Sequence, residues 1–526
     1  MTPRRFVLFF LGVITALRLV LIGQFGLFPD EAYYFMWSER MDWSFFSKGP
    51  GVATTMWLST HLFGVSEFGL RFFSPILALG TSLILFRLAR RLYSESVGAW
   101  LVVLINVMPI FTAGGLVMTI DPLSIFFWTA ALATWWRALE ESPSFSWWWP
   151  ATGLLIGLGF LSKYTNAMQL LSIALLLALT PKYRAEFKRP GLYSLLGVFL
   201  LCCTPVLIWN AQHEWVTLDH LKARGGLQKP FSLNFAELGK FIGLHFGVYS
   251  PLVFAGMVTA VVWAFPKARH SFKVRYLLAF TLPLFALYLW LSLKQAGEAN
   301  WTAPASVSLA LLTVALWHER AAQSRGLRIF AVAALTTSGA VSLVTLNSDI
   351  LRTIGVPWPY SRDPSSRMRG WESAAAEIER FRDRFEDAHD APVFLIANEH
   401  EVAASLAFYM KEKRVAGPQH PPIYIPAQPY FEDQFSFWPR YDQLIDFPAG
   451  YQREDTIYTE EQGYNPFKGH TALYITDRAE DKVPSSIKAG FARWEMIACL
   501  DQNRRGAPLR QLRIFVCENY LDPGVK

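Results

Sequence analysis

An aspartate and a glutamate stand side by side at Asp30 and Glu31, and a lysine follows at Lys48, within the stretch FPDEAYYFMWSERMDWSFFSKGP. A carboxylate beside a membrane can take a proton from a hydroxyl, and a lysine there can hold a phosphate. The same kinds of group recur after other hydrophobic runs: Arg71 in SEFGLRFFSPI, Asp121 in TIDPLS, Lys163 in LSKYTN, His213 in WNAQHEW and Glu298 in KQAGEANW. An ionisable side chain next to hydrocarbon is costly unless paired or hydrated, so each is a candidate for function. Each also has a plainer reading. Asp30 follows a proline and precedes a helical run, a favourable N-cap position, and Asp121-Pro122 suits a first helical turn. Lys48 and Lys163 can snorkel to headgroups, His213 fits a hydrogen-bonded loop, and Glu298 fits a polar one. What separates the readings is whether the elements carrying these residues bring them to one membrane face.

The composition describes those elements. Of 526 residues, 52% are hydrophobic, 15% aromatic and 17% charged, with 20 Trp and 41 Phe. Soluble domains average about 25% charged residues, and aromatic excess marks membrane interfaces. Runs of roughly 20 apolar residues span a bilayer. Such runs fall at 6–26, 70–87, 97–113, 121–138, 148–162, 165–181, 191–209, 242–265, 276–293, 301–317 and 327–346. The first begins like a signal peptide but is longer and lacks an A-x-A cleavage site, so it is expected to stay as a helix. Arg18 within it must face protein or snorkel. Residues 51–63 are too short to span and read as a re-entrant or interfacial helix.

Lys and Arg concentrate in RLARR, PKYRAEFKRP and PKARHSFKVR, on alternate loops. That bias places the N-terminus in the cytoplasm and all the candidate residues on the outer face. Residues 1–346 then form a transmembrane catalytic domain, and 347–526 a soluble α/β domain outside. In the latter, APVFLIANEHEVAASLAFYM reads as a strand, a turn and a helix, while TALYITDR and LRIFVCENY read as strands. Cys499 and Cys517 would lie in an oxidising space, where a disulfide can form. There is no CxxC motif, P-loop, GxGxxG or zinc spacing, and nothing points to nucleic acid.

FPDEAYYFMWSERMDWSFFSKGP resembles the first outer loop of membrane-embedded GT-C glycosyltransferases of the protein-mannosyltransferase and aminoarabinose-transferase type. SEFGLRFFSPI, TIDPLSIFFW, GLLIGLGFLSKYTNAM, PVLIWNAQHEWVTL, EANWTAPA, ASLAFYM, FSFWPRYD and ALYITDR continue the resemblance in order. It implies a polytopic α-helical protein that moves a sugar from a polyprenyl-phosphate donor, with inversion, at the outer face of the bacterial inner membrane. Asp30 would be the catalytic carboxylate and Glu31 its neighbour. Lys48 would contact the donor phosphate, with Lys163 and Arg71 as further contacts. Asp121 would be a second acid, orienting the acceptor or binding a divalent metal, with Glu298 and His213 on the acceptor side. KGP stands where many members have HPP, which leaves the donor and acceptor open. The acceptor read from this resemblance is a lipid of the lipopolysaccharide or lipid A type. Protein O-glycosylation is the enzymatic alternative, and a lipid flippase or transporter the alternative of another class. Against the flippase, no inverted hydropathy repeat or paired broken helices are seen, and the ionisable residues gather at one face rather than the midplane. A third reading is a membrane-anchored binding module whose outer domain carries the function.

Overall fold

The computed structural model describes residues 1–228, 233–428, 430–443, 465, 467–479 and 482–522. They form two compact units, Met1–Gln24 with Asp42–Ile350, and Phe25–Met41 with Leu351–Lys526.

The first unit is helical. Among the described residues, six helices are long and apolar enough to cross a membrane: Glu67–Leu92, Pro190–Gln212, Pro251–Ala268, Phe272–Leu291, Ala299–Ala321 and Arg325–Leu346. Shorter apolar helices, Glu95–Val107, Trp148–Ser162 and Tyr164–Leu179, accompany them. Ala299–Ala321 is the most enclosed, and it packs with its neighbours around Trp128, Trp135 and Trp149. The chain is a multi-pass membrane protein.

Each expected span overlaps a helix, the first only as far as Leu21, and prolines break three of them. The run 97–113 divides into Glu95–Val107 and Pro109–Gly114. The run 242–265 divides into Phe235–Val248 and Pro251–Ala268, with Ser250 at φ +70° between them. The run 276–293 is interrupted between Ala279 and Leu282, just before Pro283. Each proline lacks an N–H and disfavours helix in the residue before it, so it starts a new helix instead of continuing the old one. A hydropathy window does not register that difference.

Arg18 faces protein. Its guanidinium donates to Asn106 Oδ1 at 2.9 Å, and Asn106 donates on to Ser82 and to the Val102 carbonyl. The helix Gly51–Phe63 turns Val52, Ala53 and Met56 inward and leaves Trp57, Leu58 and Leu62 exposed, as an interfacial element should.

The second unit carries a four-stranded sheet of order β1-β2-β4-β3, with β1 Val393–Ala397, β2 Thr471–Thr476, β3 Phe491–Arg504 and β4 Ala507–Tyr520. β1 and β2 are parallel, and the other pairings are antiparallel. The expected strand, turn and helix at 392–409 are present, as are the strands at 471–478 and 512–520. Helix Trp371–His389 and the edge strand β3 lie outside the expected segments. Cys499 sits opposite Arg513 and Cys517 opposite Trp494, so the register keeps the two sulfurs apart, and both are free thiols. The disulfide that the sequence left open is not formed between them.

Candidate active site

The first unit builds a polar knot from three chain segments. Thr119, in extended conformation, caps the helix Ile120–Glu141 by accepting the Asp121 N–H at 3.3 Å. Thr119 thus takes the capping role, and the Asp121 side chain is turned to other partners. Helix Trp148–Ser162 ends at Lys163, whose extended backbone swings the side chain across. Lys163 Nζ donates to Asp121 Oδ1 at 2.7 Å, and Asn300 Nδ2 donates to Asp121 Oδ2 at 2.7 Å. Both charges are largely enclosed, with side-chain exposures of 7% for Lys163 and 16% for Asp121. Asn300 comes from the turn Ala299–Thr302, where Thr302 in turn bonds His245 and Tyr249, each at 2.9 Å. Beneath the knot, Asn166 is fully buried against Ser124.

Lys48 is positioned by the shape of its own loop. Its carbonyl accepts from Phe45 N–H at 3.0 Å and from Ser44 Oγ at 3.2 Å, closing a tight turn. Ser44 Oγ also lies 3.4 Å from Tyr164 Oη. The next residue must be small, because a Cβ on Gly49 would run into the Leu161 carbonyl; on Gly51 it would meet Ser162 Oγ at 2.6 Å. The KGP element is thereby laid directly on the end of the helix that delivers Lys163. His220, absent from the sequence reading, lies edge-on to Phe46 at 4.7 Å. Burial, then the charges of Lys48 and Arg224, hold its pKa down at about 4, so this imidazole is neutral at pH 7.

The other expected residues of this unit are more scattered. Arg71 is fully buried and donates to the Ile22 carbonyl at 2.9 Å, at the end of the first helix. His213 bonds the Trp209 carbonyl at 2.8 Å and stacks on the Trp209 ring. Glu298 is exposed at the start of the turn that carries Asn300, so the loop's contact to Asp121 is made two residues beyond it. No group of three or more His, Cys, Asp or Glu suited to a metal exists among the described residues. Asp121 in particular has both oxygens engaged by Lys163 and Asn300, so this donor set does not fit a metal.

Asp30 and Glu31 belong to the second unit, in the helix Pro29–Glu39. Pro29 opens that helix, and the two acids occupy its first turn, where the helix dipole favours negative charge. Glu31 is fully buried and accepts the Phe28 N–H at 2.9 Å, as the acidic member of a capping box. Asp30 is half-buried one residue earlier. The helix is fastened at both ends. Leu27 N–H donates to Tyr409 Oη at 2.8 Å, and Arg40 donates to the carbonyls of Gln419 and His420, each at 2.9 Å. Between them Phe35 packs edge-on against Phe408 at 5.2 Å.

These geometries can be set beside known proteins. Residues 47–209 match the family model described as dolichyl-phosphate-mannose-protein mannosyltransferase. Lipid A galacturonosyltransferase RgtD of Rhizobium johnstonii is 26% identical over 348 residues, covering 65% of this chain and 71% of that protein. The undecaprenyl phosphate-alpha-4-amino-4-deoxy-L-arabinose arabinosyl transferase of Edwardsiella ictaluri is 26% identical over 318 residues, 54% of each chain. The crystal structure of ArnT from Cupriavidus metallidurans bound to undecaprenyl phosphate shares the fold, with a TM-score of 0.58 at 14% identity over 97% of both chains. The chain is a glycosyltransferase of GT-C fold, similar to the ArnT type.

The matched segment of this GT-C transferase begins just before Lys48 and ends at Trp209. It contains Lys48, Arg71, Asp121 and Lys163; Asp30, Glu31, His213 and Glu298 lie outside it. The residues absent from the sequence reading, His220 in the first unit and His400 with Asp433 in the second, are single polar residues in loops or at helix ends. No spacing rule singles out such residues.

Proposed function

We propose that this transferase moves a sugar from a polyprenyl-phosphate donor to a lipid acceptor of the lipid A type, at the outer face of the bacterial inner membrane. The observation that carries the reading is the similarity to a lipid A galacturonosyltransferase over about two thirds of this chain. The density of Lys and Arg on alternate loops supports an N-terminus in the cytoplasm and a C-terminal module in the periplasm. Nucleotide sugars are charged and cytoplasmic, so an outer-face enzyme needs a donor already carried across on a lipid.

The acceptor oxygen attacks the anomeric carbon, the bond from that carbon to the phosphate oxygen breaks, and the polyprenyl phosphate leaves with the electron pair. The configuration inverts. Asp30 takes the proton of a hydroxyl acceptor; toward a phosphate acceptor, which is already anionic, it positions groups and stabilises the oxocarbenium-like transition state. Lys48 meets the charge that grows on the leaving phosphate. Lys163 is committed to Asp121, and the two orient the acceptor side with Asn300. Arg71, enclosed against backbone, holds the end of the first helix. Glu31 holds the start of the helix that presents Asp30.

The test uses purified full-length protein with a panel of polyprenyl-phosphate sugars and lipid A, comparing wild type with Asp30→Asn. Transfer of label to the lipid by wild type, and its loss in the variant, is the expected result. Label on protein would select the O-glycosylation reading that the matched family's description favours. Lipid translocation without transfer would overturn the proposal.

A further inference from the structure

The second unit holds a partly buried ion pair that the mechanism above does not use. His400 opens the helix His400–Tyr409, and its Nδ1 lies 3.1 Å from Asp433 Oδ2. Asp433 is itself fixed. It is buried, and its other oxygen accepts the Phe435 N–H at 2.9 Å at the head of the turn Gln434–Phe437. The far side of the imidazole is covered by Tyr33, whose ring lies 4.4 Å from it. Tyr33 is pinned in turn, its hydroxyl accepting the Gln434 N–H at 2.6 Å and its ring stacking on Phe435.

Tyr33 is three residues after Asp30 on one helix, so the two side chains share a face with their Cβ atoms about 5–6 Å apart. His400 is thus seated on the face of the helix that displays Asp30. We propose that His400, oriented by Asp433, is a positioning residue for Asp30: its positive charge on that face of the helix favours the carboxylate form that accepts the acceptor's proton.

The surrounding charges favour the imidazolium. Burial works against it, but the hydrogen bond and charge of Asp433, together with Glu401 and Asp30, outweigh burial and raise the His400 pKa above its usual value. Glu401 lies on His400's own helix and is met by both oxygens' contacts to Arg367, at 2.9 and 2.8 Å, which offsets part of its pull. Asp433 comes from the turn Gln434–Phe437, and Asp30 and Tyr33 from the helix Pro29–Glu39. Burial and the Asp433 charge push the Tyr33 phenol well up, so it faces His400 as a neutral ring. Cations and anions are therefore ordered as Asp433, His400, Asp30, with an aromatic plate beside them. No bond is made or broken at His400; the acceptor's proton goes to Asp30.

This inference rests on Asp30 being the proton acceptor. The test is the pH profile of kcat/KM for transfer by the full-length protein, in wild type, Asp30→Asn, His400→Gln and His400→Lys. Loss of a nearby positive charge raises a carboxylate's pKa, here by about one unit. His400→Gln is therefore expected to move the acidic limb up by about one pH unit, with roughly tenfold less activity on that limb. His400→Lys keeps the charge and should leave that limb in place. If His400→Gln does not fold, His400→Asn replaces it with the same expected shift, and a wild-type acidic limb there would overturn the proposal. Wild-type limbs in His400→Gln, with Asp30→Asn inactive, overturn the positioning role and leave the base assignment standing. Full transfer by Asp30→Asn removes the base assignment and this inference with it.

Discussion

Asp121 and Asp30 both occupy the first turn of a helix, yet their surroundings differ. Asp121 has one oxygen on an enclosed lysine and the other on a side-chain amide, so each of its oxygens has a fixed partner. Asp30 stands half-buried beside a buried neighbour, Glu31, that does the helix-capping work. A carboxylate held by a lysine and an amide is suited to holding geometry. One at a helix start, on the face that also carries Tyr33 and His400, is suited to exchanging a proton. The two histidines follow the same division. Burial and cations keep His220 in the first unit neutral, while carboxylates favour the charged form of His400 in the second.

The largest expected effect attacks the second region. Asp30→Asn should lower kcat by at least a hundredfold, within the range of about 10²–10⁴ associated with general-base catalysis. A variant of undiminished rate would erase the contrast with Asp121. Next comes the locked pair. Lys163→Met or Asp121→Asn alone leaves a buried charge uncompensated, at a cost of about 3–5 kcal/mol. The double variant should recover much of that in thermal or denaturant unfolding. If it does not, the pair is not a unit.

Lys48→Ala is expected to cost roughly 2–4 kcal/mol of transition-state stabilisation, by analogy with losing an oxyanion donor. Steady-state kinetics with varied donor would read it, and an unchanged kcat/KM would take Lys48 out of phosphate binding. Glu31→Gln should be smaller, about 1 kcal/mol of stability from a weakened cap, with transfer retained. A loss matching that of Asp30→Asn would make Glu31 part of the chemistry.

The smallest effect is in pH. The unfolded chain takes up a proton on His220 near pH 6.5, while the folded protein resists until about 4. Stability of the first unit should therefore fall as pH drops from about 6.5 to about 4, and His220→Gln should flatten that slope. For His400 the sign reverses: its contribution is complete below about pH 6.5 and is lost as pH rises through its raised folded value. Melting curves of His220→Gln and His400→Gln that tilt the same way would break the comparison.

Much of this architecture was readable from local pattern. Long apolar runs, alternate basic loops and the alternation of VFLIA and TALYIT report directly on what each residue must be surrounded by. β3 was not readable, because its residues are mostly exposed along an edge and show no clean alternation. The helix Trp371–His389 does carry a stripe at helical spacing, Trp371, Ala374, Ala375 and Ile378, but one made half of alanine within a charge-rich segment.

The amino-acid sequence by itself determined the apolar helices, the α/β character of the C-terminal module and which acids and lysines are candidates for chemistry. These follow from side-chain hydrophobicity and charge, which are properties of residues taken a few at a time. Only the tertiary structure decided that Asp121 is held by Lys163 and Asn300, that the helix carrying Asp30 packs with the C-terminal module, and that His400 lies over Tyr33. Those pairings join residues 42 to 401 positions apart. Their partners are chosen by close packing and hydrogen-bond geometry, which local sequence does not encode.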